Sequence, residues 1–121
     1  MAKISRFEDL QSWQKGRQLT NFVYDLTEHP KFAKDFRLCG QIQDAAGSIM
    51  HNIAEGFDSG SDAEFARFLR YAQRSCSEFR SQSQRALDRG HLDEAEFQEL
   101  GQLALEVSSK SGALINYLVR N

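Results

Sequence analysis

Residues 38–56 read LCGQIQDAAGSIMHNIAEG, and the rhythm of this stretch decides the fold. Leu38, Ile42, Ala45, Ala46, Ile49 and Ile53 recur at steps of four, three, one, three and four. That is the one-face spacing of an amphipathic helix. Gln41, Ser48, Asn52 and Glu55 fall in a neighbouring arc of about 60°. The helix therefore carries an apolar stripe with a polar stripe along its edge.

Working outward from this stretch, Asp35 is placed to cap the helix, and Gly56 is placed just past its end. On the N-terminal side, Pro30 stops an earlier helix, because the residue before proline resists the α region. That first helix is predicted over 8–28. Its apolar residues form two groups: Leu19, Phe22, Val23 and Leu26 share one face, while Leu10, Trp13 and Tyr24 lie nearly opposite. The second group either covers another subunit or reflects helix ends that bury different sides.

On the C-terminal side, Asp58, Ser59, Gly60 and Ser61 make a turn by composition. Ser61 and Glu64 have the spacing of a capping box. The third helix is predicted to run to Arg89, with Gly90 as its terminating glycine and Phe65, Phe68, Leu69, Ala72, Cys76, Phe79, Ala86 and Leu87 inward. Asp93 and Glu96 repeat the box, and a fourth helix buries Phe97, Leu100, Ala104, Val107, Leu114 and Leu118. Ser108, Ser109, Ser111 and Gly112 thin its middle, where a neighbouring helix comes close. No segment alternates with period two, so no strand is expected. The fold class is all-α, an antiparallel up-down-up-down four-helix bundle. It forms a single domain over 1–121, with helices at about 8–28, 35–56, 61–89 and 93–119, because links this short force neighbours to run in opposite directions.

At 121 residues the chain suits one core. A net charge of −2 and a pI near 5.9 give no global attraction to polyanions, so any nucleic-acid partner must be met by a local patch. The two cysteines, Cys39 and Cys76, make no metal spacing and read as reduced thiols of a cytoplasmic protein. There is no apolar run for a signal peptide and no span of roughly 18 apolar residues for a membrane, so no membrane partner is expected.

Catalytic chemistry finds no support. His29, His51 and His91 have no Glu three residues before them, as a di-iron bundle would require. His51 and Glu55 share a face, but one such pair is more often a hydrogen bond than a metal site. Nucleophile elbows, phosphate loops and HExxH are absent. No catalytic, cofactor or metal residue is assigned, and an enzyme is not expected.

Two surfaces remain. If the stripe of Gln41, Ser48, Asn52 and Glu55 is buried, each member must be paired, since an unpaired buried polar group costs about 1–3 kcal/mol. Glu55 sits near the negative end of its helix, where a carboxylate is disfavoured by a few tenths of a kcal/mol, so it should hold a partner such as backbone amides or an Arg. With Trp13 and Tyr24, the stripe is read as a structural or subunit contact. The other surface is basic: Arg67, Arg70, Arg74, Arg85 and Arg89 fall within about 100° of arc opposite the third helix's core face, as a phosphate-tracking stripe would. Glu64, Glu78 and Asp88 share that face, with Arg74 and Glu78 spaced as an i, i+4 pair, so a merely solvated face is the alternative.

Phe7-Glu8-Asp9-Leu10, Trp13-Gln14-Lys15, Lys34-Asp35-Phe36 with Leu38, Gln41-Ile42, Ala45-Ala46, Ser48-Ile49-Met50 and Asn52-Ile53-Ala54-Glu55-Gly56-Phe57 come in order. Glu64-Phe65, Phe68-Leu69, Ala72, Ser75-Cys76 and Glu78 follow. Together they resemble the bacterial four-helix bundle family of 23S rRNA intervening sequence proteins, with the Asn-Ile-Ala-Glu-Gly run the most specific piece. The resemblance implies a bundle that assembles into a homo-oligomeric ring, typically a pentamer. Relatives are encoded within large-subunit rRNA genes, and a related branch serves diversity-generating retroelements, where a basic barrel engages a reverse transcriptase and RNA. This chain departs at Gln43-Asp44, where relatives often carry a basic pair, and at Asp58-Ser59, where an arginine is common. Each change removes charge from an RNA-facing surface. The expectation is a non-catalytic, ring-forming protein that binds RNA or a reverse transcriptase, with a scaffold for protein partners alone as the rival.

Overall fold

The computed structural model describes residues 3–120, and among them the chain is helical with no strand. A 3-10 turn at Phe7–Asp9 precedes α1 (Gln11–Thr27), the short α2 (Pro30–Ala33), α3 (Phe36–Phe57), α4 (Asp62–Asp88) and α5 (Glu94–Arg120). Each of the four long helices packs on two others: α1 and α4 both lie against α3 and α5.

Side chains at the predicted positions begin the last three helices. Asp35 Oδ1 accepts from the Leu38 amide at 3.3 Å, and Ser61 Oγ accepts from the Glu64 amide at 3.1 Å. Asp93 and Glu96 make the full reciprocal box, each side chain accepting from the other's amide at 2.8 and 2.9 Å. The box at Ser61 is half made, because the Glu64 carboxylate turns to Arg67 instead. At the far end of α4, Gly90 adopts φ of 76°, the left-handed conformation that ends a helix with least strain when the residue is glycine.

The N-terminal part departs from the predicted helix over 8–28. Leu10 is extended (φ −73°, ψ 129°) and α1 starts after it, so Leu10 does not follow the helical wheel. It is buried, and the Phe7 ring lies 5.3 Å from that of Trp13. Leu10 and Trp13 are thus covered by their own chain, Trp13 partly, and only Tyr24 of that group stands out, half exposed. The link at 29–34 is also not a plain connection. Pro30 both ends α1's run and opens α2 at its first position, where its fixed φ and missing donor fit. This single turn puts Phe32 into the core.

Gly56 does not end its helix. α3 continues through Phe57, and Gly56 is buried where a Cβ would lie 2.7 Å from Phe68 Cβ. Its role is close approach of α3 to α4. The thin middle of α5 does the same against α4: Gln73 Nε2 donates to the Ser108 carbonyl at 3.1 Å, and Gly112 faces that amide.

Leu19, Ile49, Leu69, Phe79, Leu100 and Val107 form the centre of the core. Phe22, Phe68, Leu87, Phe97 and Leu114, expected there, are only half-buried. Ile115 is buried where Leu114 was expected; the two flank opposite sides of the arc shared by Ala104, Val107 and Leu118, and the neighbouring helices cover the Ile115 side more fully. Ser12 on α1 and Ser111 on α5 are buried, and their hydroxyls have no partner among the described residues.

A polar cluster joins α2, α3 and the turn before α5. His91 is nearly buried, stacks on Phe32 (centroids 4.7 Å apart, planes within 11°) and meets Asp35 Oδ2 through Nε2 at 3.0 Å. The hydrogen bond from His91, then that from the Leu38 amide, hold the Asp35 carboxyl below its ordinary value of 3.8. A carboxyl lowered on folding adds stability that is complete above the unfolded value and lost as pH falls through the folded one. The Tm difference between wild type and Asp35→Asn should therefore be widest above pH 3.8 and close below it. A gap that does not change with pH would contradict this assignment.

Candidate nucleic-acid interface

All five arginines singled out, four on α4 and Arg89 at its C-cap, are exposed, because they lie opposite the Phe65, Leu69, Ala72 and Phe79 side that the core takes. Their partners differ. Arg67 grips Glu64 with two hydrogen bonds, Nη2 to Oε2 at 2.7 Å and Nε to Oε1 at 3.0 Å, and donates from Nη1 to the Tyr71 hydroxyl at 2.8 Å. The Arg67 hydrogen bonds hold the Glu64 carboxyl below the usual range, and the same contacts raise the Arg67 guanidinium above its own. Arg67 is thus a fixed cation.

Arg74 does not make the expected pair with Glu78. Its guanidinium lies over the Tyr71 ring at 5.4 Å, and that of Arg67 lies 5.4 Å from the same ring. Phe68 meets Tyr71 edge-on at 5.7 Å. Two exposed cations thus flank one half-buried aromatic ring, an arrangement worth roughly 0.5–1 kcal/mol per exposed cation–π contact. Among the described residues the guanidiniums of Arg70 and Arg89 form no ion pair or hydrogen bond, whereas Arg67 and Arg85 are both engaged. Arg85 donates from Nη1 to Gln41 Oε1 and Gln82 Oε1, both at 2.7 Å. Arg89 lies one residue beyond α4 as its C-cap.

The polar stripe of α3 does not act as one unit. Ser48 and Asn52 are half-buried at the seam with α4. The hydroxyls of Ser48 and Ser75 bond at 2.9 Å, and Asn52 Nδ2 donates to the Ser48 carbonyl at 2.8 Å and to its hydroxyl at 3.1 Å. Gln41 is exposed and held by Arg85. Glu55 departs from expectation: it is exposed, and its neighbour is His51 one turn back at 3.7 Å, neither a backbone amide nor an arginine. Trp13 packs on Phe7 within the chain, and Tyr24 is open to solvent.

Tyr71, Phe68 and Ser75 were not among the residues the sequence reading selected as functional. The signal for Tyr71 was present in the spacing of Arg67, Tyr71 and Arg74, at i, i+4 and i+7 on one helix face.

The arrangement suits contact with phosphates and bases. Among the described residues no three His, Cys, Asp or Glu side chains gather as a metal would need. Burial pushes the Cys76 thiol up to about 12 and also raises that of Cys39, so neither supplies a thiolate nucleophile near neutral pH. No helix among the described residues is long and apolar enough to cross a membrane.

Compared with known families, residues 8–113 match the model of the 23S rRNA-intervening sequence protein family. The matched span includes every arginine of the α4 stripe and the whole polar stripe of α3. No curated protein matches the chain.

Proposed function

The chain belongs to the 23S rRNA-intervening sequence protein family, and from that premise we propose that it works without catalysis, as a ring-forming protein whose α4 face meets RNA or an RNA-handling partner such as a reverse transcriptase. In this reading the four long helices form an antiparallel up-down-up-down bundle. The cross-helix pairs support it: Gln11 meets Lys110 while Lys15 meets Glu106, and Gln41 meets Arg85 while Ser48 meets Ser75. In each case the partner's number falls as the first rises. Exposed Tyr24 and Phe36, the latter 84% accessible, support further subunits covering them. Such a ring, a pentamer by resemblance, should scatter light as a particle several times 13.8 kDa. A monomer at micromolar concentration would remove the assembly from the proposal.

The observation that carries RNA contact is the Arg67–Tyr71–Arg74 group beside Arg70. Unstacked bases lie on aromatic and guanidinium planes, and phosphates take the free charge. Helix α3 has no Lys or Arg from 38 to 56, so the footprint is narrow on one chain, and repetition around a ring would supply avidity.

A shift assay with mixed-sequence single-stranded RNA should show affinity falling steeply with salt, because bound phosphates release counterions. Arg70→Glu with Arg74→Glu should abolish retention at moderate salt without changing helicity. Unchanged retention would favour the second reading, an oligomeric scaffold with protein partners alone. That reading draws on Arg67 and Arg85 being already engaged with Glu64, Gln41 and Gln82.

A further inference from the structure

Two adjoining hollows open along the seam between α4 and α5, away from the arginine stripe. The larger is about 370 Å³ and the smaller about 90 Å³. Both are lined by Arg80, Phe97 and Gly101. The larger falls at the small end of the range for ligand pockets.

Three features give this place a chemical preference. The first is the charge of Arg80. Residues three and four positions away on its helix are Cys76, Ser77, Ser83 and Gln84, none of them anionic, so the usual i, i+3 and i, i+4 partners are missing. Among the described residues Arg80 makes no ion pair, and no Asp or Glu lines either hollow. In a chain of net charge −2 this is a lone positive lining.

The second feature is Ser83. It is 2% exposed, its hydroxyl has no hydrogen-bond partner among the described residues, and it lines the smaller hollow. A buried hydroxyl is normally satisfied, so this one invites a polar atom from whatever fills the space. The third is the wall. Phe97 and Leu105 present apolar surface, Leu105 being more than half exposed. Gly101 keeps the space clear: a Cβ built there meets nothing within 4 Å.

We infer that the α4–α5 seam binds a small organic anion, an aryl carboxylate or aryl phosphate, whose charged group pairs with Arg80 and whose ring lies on Phe97 and Leu105. An oxygen of the same group, or a water it carries, reaches the Ser83 hydroxyl. Arg80 suits this task because its planar fork meets either oxyanion with two parallel hydrogen bonds. The inference is independent of RNA contact, since Arg80 is not one of the five stripe arginines.

Calorimetric titration of the full chain with phenyl phosphate and with benzoate tests it, with inorganic phosphate as the probe lacking a ring. Saturable binding is expected for both aryl anions and at least about tenfold weaker binding for inorganic phosphate. Arg80→Gln should weaken aryl-anion binding at least about tenfold, the loss of one charge-assisted contact. Gly101→Leu should abolish it by filling the hollow, with Tm kept or raised because Leu is the better helix former. The inference is overturned if wild type gives no saturable heat at millimolar probe, or if Arg80→Gln titrates like wild type. It is equally overturned if Gly101→Leu changes the mass in solution and leaves affinity intact, which would assign the seam to contact between copies.

Discussion

Phe32→Ala should lower the unfolding free energy by about 3–5 kcal/mol, the cost of removing a buried aromatic ring and leaving a cavity. Phe32 is 1% exposed although it sits on a helix of only four residues. Such a turn has no stability of its own, so its ring anchors it. The ring also stacks on His91, whose Nε2 meets the carboxylate that caps α3. The Phe32 carbonyl accepts from Cys39 Sγ at 3.0 Å. Removing the ring therefore loosens the link between α1 and α3, the N-terminus of α3, and the turn before α5 together. Urea unfolding should show a lower midpoint with an unchanged slope. A loss below about 1 kcal/mol, the ordinary size for a point substitution, would mean that the site collapses around the gap.

Gly56→Val should cost about 1–3 kcal/mol by overpacking. The new Cβ alone would stand 2.7 Å from Phe68 Cβ, 3.0 Å from Phe65 Cδ1 and 3.2 Å from the Phe65 carbonyl oxygen. None of these is the far end of a flexible chain, so α3 and α4 must move apart. Gly47 provides the contrast on the same helix, since nothing lies within 4 Å of a Cβ there. Gly47→Ala should stabilise the protein by roughly 0.5–1 kcal/mol, the helix-interior advantage of Ala over Gly. Thermal melts of the two variants should move in opposite directions. If both rise, the contact at Gly56 is soft and the reading of that glycine as the close-approach point is wrong.

These two positions mark where the sequence could be read and where it could not. The starts of α3, α4 and α5 were legible because Asp35, Ser61 and Asp93 signal them chemically: each is a short polar side chain three residues before an amide it can reach. Gly56 was not legible. A glycine that ends a helix and one that admits a neighbour look alike in sequence, and only Phe65 and Phe68 on another element tell them apart. The same holds at the N-terminus, where a wheel drawn through Leu10 assumes a helix that begins after it.

The candidate interface divides in the same way. Exposure of the five arginines followed from the core stripe opposite them. Their pairings did not follow, because several partners stand within reach on one helix and differ by only tenths of a kcal/mol. Arg74 took Tyr71 in place of Glu78, and Glu64 took Arg67 in place of its own cap. Glu55 was expected to hold a backbone amide or an arginine at the negative end of α3, and within the chain its neighbour is His51 one turn back at 3.7 Å.

Ser12 and Ser111 have a consequence for how the molecule comes apart. They stand beside Gln11 and Lys110, which clasp at 2.9 Å on the outside, while their own hydroxyls stay thirsty within. α1 and α5 are the first and last long segments of the chain, with no loop between them to hold that edge shut. Water reaching those two hydroxyls would give each the partner it lacks among the described residues. The protein should therefore breathe like a book along its open side, with the amides of α1 exchanging hydrogen before those of α3.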